Sequence, residues 1–150
     1  MSQTVYVDTS VVGGAFDEEF KFWTELFFKQ VEKGLFQLAI SDLLEGELLE
    51  APNNVVGLYK EIVQTDVIQL NFGEEAEQLS SEYLKQRIVG MKSLVDCQHI
   101  ATATVNNIDI LVSWNFKHIV NLDKIRLYNA VNLKEGYKSI EIRTPREILK

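Results

Sequence analysis

The sequence predicts one α/β domain over residues 1–150, with a parallel β-sheet flanked by helices. Short apolar segments alternate with helical segments along the whole chain, and no repeat, linker or low-complexity segment interrupts them. Alternating strands and helices are typical of a parallel sheet that is covered on both faces. We therefore expect an α/β/α sandwich.

The predicted strands are short apolar runs. The first is Thr4-Val-Tyr-Val7, which is followed by Asp8. Its apolar and β-branched residues are typical of a buried strand. The others are expected at residues 35–40, 67–70, 110–113 and 139–142. Helices are expected at residues 42–50, 55–64, 74–88, 93–105 and 124–133, a helical turn at 116–120, and a terminal turn that Thr144 caps before Pro145.

The segment after the first strand is predicted to break at Gly13-Gly14 and to resume as a helix from Asp17, its N-cap, to about Lys33. That helix carries more aromatic residues than one core stripe needs, namely Phe20, Phe22, Trp23, Phe27 and Phe28. They form either a core face with a partly exposed margin or a surface for a dimer or another partner. A homodimer is therefore one of our expectations.

Composition limits the possible functions. The net charge is −7 and the pI is about 4.9, the wrong sign for neutralising phosphates unless the carboxylates surround a cation or a basic partner supplies charge. No apolar run approaches the roughly 20 residues of a membrane helix, and no signal sequence is evident. The single Cys97 is expected to be a buried thiol. A cytoplasmic location without membrane attachment is expected.

Asp8 follows the first strand and is itself followed by Thr9 and Ser10. In open parallel sheets, ligands bind beyond the carboxyl ends of the strands, where the strand order reverses. Asp8 is thus either a functional carboxylate or a turn residue bonded to nearby amides.

The helix after the second strand offers two candidate acids that cannot share a face, Glu45 and Glu47. Glu45 lies three residues after Asp42, so it suits a capping box or a solvent-facing position. Glu47 has no such local role and lies farther along a helix that starts at the carboxyl edge of the sheet. We predict that Glu47 faces Asp8.

Later in the chain, Asp96 and Asn115 are each ambiguous. Ser93-Leu-Val-Asp96 matches a capping box, although an acid at the start of a helix could also hold a cation. Asn115 follows the strand that ends at Ser113 and could be a turn residue or a ligand. His99 and His118 lack the partners of a zinc site, so we interpret them as hydrogen-bonded helix residues. Neither a serine hydrolase motif nor a phosphate-binding glycine loop is present.

The remaining constellation is Asp8, Glu47, Asp96 and Asn115, with Ser10 and Ser113 nearby. Carboxylates held close together repel one another unless a cation compensates. Hard divalent ions such as Mg²⁺ prefer oxygen ligands and retain water molecules that can be activated. Such ions support phosphodiester cleavage, so the residues indicate metal-assisted phosphate chemistry.

These segments resemble the PIN-domain family, the Mg²⁺- or Mn²⁺-dependent ribonucleases that include VapC-type toxins. The likeness is carried by residues 5–10, by residues 39–41 leading to Glu47, by residues 96–103, and by residues 111–115, with residues 142–147 similar to the closing segment of the family. The resemblance implies that Asp8, Glu47 and Asp96 ligate metal and that Asn115 completes the catalytic set.

The resemblance also implies supporting roles for Thr9, Ser10 and Ser113, an RNA substrate and an antitoxin protein partner. Asn115 departs from the family, in which many members have Asp, and it leaves one charge fewer for a second ion. Two other functions stay open. One is a PIN-like scaffold that binds RNA or protein without cutting it, and the other is a phosphatase with Asp8 as nucleophile, which would want a second Asp where the chain has Ser10.

Overall fold

A five-stranded, fully parallel sheet forms the centre of the protein, in a computed structural model that describes residues 2–150. The strand order is β3–β2–β1–β4–β5. The strands are β1 (Gln3–Val7), β2 (Phe36–Ser41), β3 (Ile68–Leu70), β4 (Ile110–Val112) and β5 (Glu141–Arg143). All five predicted strands are present, and the predicted fold class is confirmed.

Seven α-helices cover the two faces of this sheet within residues 2–150. They are α1 (Thr9–Gly14), α2 (Lys21–Glu32), α3 (Asp42–Leu48), α4 (Asn53–Val63), α5 (Glu74–Lys85), α6 (Leu94–Val105) and α7 (Leu122–Lys134). Tyr6 of β1 packs in a core with α5, α6 and α7, whereas Val5 and Val7 pack in a second core with α1 to α4. Because β1 side chains alternate between the two cores, both faces of the sheet are buried.

The chain reverses its direction of travel across the sheet between β1 and β4. After β1 it adds β2 and β3 on one side, and it then returns to add β4 and β5 on the other. Val7 pairs in register with Val112, so the residues that follow these two strands emerge side by side. Asp8 and Ser113 therefore lie at the switch point where such sheets bind ligands.

The predicted break at Gly13 and Gly14 is wrong, because both residues belong to α1. Neither glycine has a positive φ, and the reason for Gly14 is packing: an ideal Cβ there would lie 2.8 Å from the ring of Trp114.

The predicted start of the next helix, at Asp17, is about one turn too early, because α2 begins at Lys21. Asp17 Oδ1 accepts the Glu19 N–H at 2.8 Å in the turn that precedes α2.

Of the two roles left open for Asp96, the capping box with Ser93 does not form. Ser93 makes no side-chain capping bond, because a single 3₁₀ turn over Met91–Ser93 leads directly into α6. The reciprocal arrangement occurs instead at the C-terminal turn, where the Thr144 N–H donates to Glu147 Oε1 at 2.8 Å and the Glu147 N–H donates to Thr144 Oγ1 at 3.3 Å. Asp96 is thus not used as a cap.

The aromatic residues before and within α2 mostly pack inward. Phe27 is fully buried and Phe20, Trp23 and Phe28 pack against the same core, while Phe22 is 62% exposed. This matches a core face with an exposed margin, and the homodimer remains a prediction. Cys97 is buried, as expected. No helix within residues 2–150 has the length and apolar character needed to cross a membrane.

Candidate active site

Asp8 is the centre of a small group of polar side chains at the carboxyl edge of β1 and β4. Its Oδ1 accepts a hydrogen bond from Ser10 Oγ, and its Oδ2 accepts one from Ser113 Oγ, each at 2.6 Å. The Asp8 side chain is almost fully buried. Both carboxylate oxygens are therefore held in place by hydroxyl groups from two different strand ends.

The backbone after β4 is hydrogen-bonded to the same hydroxyl groups. The N–H of Trp114 donates to Ser10 Oγ, and the N–H of Asn115 donates to Ser113 Oγ, each at 2.9 Å. Each serine thus donates to Asp8 and accepts from the main chain. This arrangement fixes the path of the chain that carries Asn115 into the site.

Asn115 links the turn after β4 to the helix α6. Its Oδ1 accepts the His118 N–H at 2.9 Å, which is a turn role, and its Nδ2 donates to Asp96 Oδ2 at 3.2 Å. The turn role left open for Asn115 is thus present, and its role as a ligand stays a prediction. An amide at this position donates to Asp96, whereas an aspartate would repel it.

Glu47 of α3 is held by two donors that use the same oxygen. Its Oε1 accepts from Thr9 Oγ1 at 2.6 Å and from His99 Nε2 at 2.5 Å. Its side chain remains about 36% exposed. Glu45 is exposed, and Asp42 accepts the Phe72 N–H at 2.9 Å instead of capping α3.

Sequence reasoning interpreted His99 as a helix residue and did not connect it with the site. It lies three residues after Asp96, on the same face of α6, and its Nδ1 is 2.5 Å from the hydroxyl of the buried Tyr6. That spacing is the one signal in the sequence that could have indicated it. His118 lies outside the carboxylate group, in the turn that follows Asn115.

The carboxylates affect one another electrostatically. Burial raises the pKa of Asp8 above its ordinary value, and the hydrogen bonds to Asp8 offset this only in part. Burial also raises the pKa of Asp96, to about 6, and the negative charges of Asp8 and Glu47 add to the increase. Partial burial pushes the pKa of Glu47 upward, but the bonds from His99 and Thr9 outweigh it, so the pKa of Glu47 is lowered.

The donor set suits a hard cation. Within residues 2–150, no Lys or Arg side chain forms an ion pair with Asp8, Glu47 or Asp96. Buried carboxylates without a basic partner are costly unless a metal ion compensates. In this part of the chain, however, no three His, Cys, Asp or Glu side chains already converge on one ion-sized position.

Comparison of the fold with solved structures gives several matches at low sequence identity. VapBC-1 from nontypeable Haemophilus influenzae has a TM-score of 0.61 and 14% identity, covering 95% of this chain and 98% of that one. VapC20 of Mycobacterium tuberculosis, described as a Sarcin-Ricin loop cleaving toxin, has a TM-score of 0.60 and 14% identity, covering 91% and 98%. DNA-bound VapBC from Salmonella typhimurium has a TM-score of 0.58 and 14% identity, covering 97% and 99%.

The chain has the PIN-domain fold. No family model matches the sequence, and no curated protein matches it significantly. At these identities the PIN fold is what the likeness establishes, and the roles of individual residues rest on the geometry of the site.

The protein places the residues that the sequence marked for the site in three hydrogen-bonded groups at this edge of the sheet. Asp8 contacts Ser10 and Ser113, and a second group joins Thr9 to Glu47. Asp96 and Asn115 form a third contact. The negative charges of Asp8 and Glu47 both raise the pKa of Asp96, so the three groups influence one another electrostatically.

One prediction concerns the protein without a metal ion. The folded-state pKa of Asp96, about 6, lies above its unfolded value of 3.8, so its contribution to stability is complete below pH 3.8 and is lost as the pH rises through 6. Asp96→Asn removes this pH-dependent loss of stability, because the amide does not ionise. With EDTA present, we expect the variant to exceed wild type in unfolding free energy by about 1–2 kcal/mol at pH 8, with no gain near pH 4.

Urea denaturation at the two pH values checks this expectation. Taking the difference between variant and wild type removes the titration of groups elsewhere in the protein. Equal stability at pH 8 would contradict the electrostatic description of Asp96.

Proposed function

We propose that the chain is a divalent-metal-dependent endoribonuclease that hydrolyses RNA phosphodiester bonds and acts as the toxin of a toxin–antitoxin pair. The observation that carries the proposal is that Asp8, Glu47 and Asp96 lie near the switch point of the sheet and that, among residues 2–150, none of them pairs with a Lys or Arg side chain. The fold, shared with a Sarcin-Ricin loop cleaving toxin, supports the choice of a ribonuclease.

In this proposal Asp8, Glu47 and Asp96 hold Mg²⁺ or Mn²⁺. When bound, such an ion supplies Lewis-acid activation of the phosphodiester and of the attacking water. The protein contributes preorganisation, because Ser10 and Ser113 fix Asp8 before any ligand arrives. Asn115 in turn holds Asp96 through its amide.

The distribution of charge supports an anionic substrate despite the acidic composition. Residues 117–150 contain eight of the 15 Lys and Arg residues but only four of the 22 Asp and Glu residues. Just beyond Asn115, Lys124 Nζ donates to the Lys117 carbonyl at 2.9 Å and lies 3.4 Å from His118 Nδ1. Partial burial lowers the pKa of His118, and these two lysines lower it further. RNA would meet this basic rim at the edge of the site.

Residues 1–116 contain 18 Asp and Glu residues but only seven Lys and Arg residues, and this acidic balance suits a basic antitoxin. The VapBC complexes among the fold matches support a protein partner of this kind. A homodimer is also part of the proposal, with the exposed aromatic Phe22 on α2 as a candidate contact.

Metal binding separates the nuclease from the two other functions. A titration calorimetry experiment with MgCl₂ should give a binding isotherm for wild type and none for Asp8→Asn. At a Mg²⁺ concentration of about 100 times its Kd, wild type should gain about 2.7 kcal/mol of stability, and EDTA should abolish RNA cleavage.

A non-cutting scaffold would bind no Mg²⁺ at this site, which would overturn the proposal. A phosphatase with Asp8 as nucleophile would instead give a trapped phospho-aspartate. Both oxygens of Asp8 already accept hydroxyl hydrogen bonds, an arrangement that favours a fixed ligand over an attacking group.

A further inference from the structure

A chain of hydrogen bonds leads from the interior of the protein to Glu47. Ser41 Oγ lies 2.7 Å from the Tyr6 hydroxyl, the Tyr6 hydroxyl lies 2.5 Å from His99 Nδ1, and His99 Nε2 lies 2.5 Å from Glu47 Oε1. Ser41, Tyr6 and His99 are almost fully buried. The chain therefore joins two strands and α6 to a carboxylate on α3.

The direction of each bond follows from chemistry. The Glu47 carboxylate can only accept, so the proton shared with it belongs to His99 Nε2. Burial keeps the pKa of Tyr6 above its ordinary value, so the phenol retains its proton and can donate it to Nδ1. The Tyr6 oxygen then accepts from Ser41. Tyr6 thus selects the ring tautomer that donates to Glu47.

The hydrogen bonds leave one oxygen of Glu47 free. Both His99 and Thr9 donate to Oε1, and Oε2 accepts no hydrogen bond from any of residues 2–150. A glutamate that is about 36% exposed would otherwise sample several rotamers, and holding it in one of them has an entropic cost. Two donors on one oxygen hold the side chain and keep the other oxygen accessible.

We propose that His99 is a positioning residue, which Tyr6 and Ser41 hold in place and which fixes Glu47 so that Oε2 stays free for the divalent cation. The inference rests on the proposed function for the identity of the ligand. The positioning of Glu47 itself does not depend on a metal ion. On one face of α6, Asp96 would then bind the cation and His99 would orient a second ligand.

Three variants separate the hydrogen bond from His99 to Glu47 from the contact between His99 and Tyr6. His99→Leu fills the buried space but cannot donate to Glu47, whereas His99→Gln carries a donor in place of Nε2. Tyr6→Phe removes only the hydroxyl that selects the tautomer. Thr102→Val is the matched control, because Thr102 is buried on the same helix and its hydroxyl donates to the Gln98 carbonyl, away from the site.

The first measurement is Mg²⁺ affinity by titration calorimetry. Loss of a residue that orients a metal ligand weakens binding by roughly 10–100-fold, and we expect this for His99→Leu. Tyr6→Phe should cause a smaller loss, and His99→Gln and Thr102→Val should stay near wild type. Wild-type affinity in both His99→Leu and Tyr6→Phe would overturn the inference.

The second measurement needs no metal and separates the inference from the proposed function. In metal-free crystals, the Glu47 carboxylate should keep its position in wild type and His99→Gln and should leave it in His99→Leu. An unmoved Glu47 in His99→Leu overturns the positioning role even where Mg²⁺ binds. Absence of Mg²⁺ binding by wild type would overturn the proposed function alone. If His99→Leu does not fold, Tyr6→Phe decides, because it changes a single oxygen atom.

Discussion

Asp8→Asn should lower the rate of Mg²⁺-dependent RNA cleavage by about 10²–10³-fold. The substitution keeps the shape of the side chain and removes its negative charge, and one oxygen that receives a serine hydroxyl becomes an amide donor. Because Asp8 is buried and its pKa is raised, neutralising it should not weaken the fold. Single-turnover cleavage at saturating Mg²⁺ measures the effect.

The matched control is Asp66→Asn, the same chemical change at an exposed position away from the site. It should cleave RNA at the wild-type rate. If the chain is a toxin, expression of wild type and Asp66→Asn should arrest growth and expression of Asp8→Asn should not. Cleavage by Asp8→Asn at the rate of the control would remove the basis of the proposed nuclease.

Gly14→Ala should destabilise the protein by about 1–3 kcal/mol, the usual cost of overfilling a packed site. The added methyl group would lie 2.8 Å from the Trp114 ring and 3.0 Å from Thr24 Oγ1. It would thus disturb the hydrogen bond from Trp114 Nε1 to Thr24, which is 2.9 Å long. Since Trp114 separates Ser113 from Asn115, cleavage should fall as well.

Gly13→Ala gives the comparison, because nothing lies within 4 Å of a methyl group at that helical position. It should raise the unfolding free energy by about 0.4–1 kcal/mol by restricting the unfolded chain. Urea denaturation of both variants tests the pair. Equal stability of the two would mean that the Trp114 ring can move aside at little cost.

The strands and most helices were predictable because their signals are local. Burial on both faces makes β1 and β4 apolar, and the rule for the carboxyl edge then predicted that Asp8 and the residues after β4 would lie side by side, as Asp8 and Ser113 do. The start of α1 was not predictable in this way. Gly13 and Gly14 indicate a turn locally, and the reason for Gly14 is a tryptophan 100 positions later in the chain.

The sequence indicated which polar residues follow the strands, and it said less about how those residues are bonded. The sequence could not show that the capping box between Ser93 and Asp96 does not form and that a 3₁₀ turn leads into α6 instead. It also could not show that His99 reaches Glu47. That contact depends on the packing of α3 against α6. Because these helices are far apart in the chain, no local sequence pattern indicates how they pack.

The hydrogen bond between Ser113 and Asp8 joins residues 105 positions apart. During synthesis, the first strand therefore leaves the ribosome long before the hydroxyl group that completes its acidic end. Contacts with such long separation form late in folding. We expect a growing chain to carry an unfinished, inert site until nearly all of it has been translated, which would keep it from attacking RNA while it is still being made.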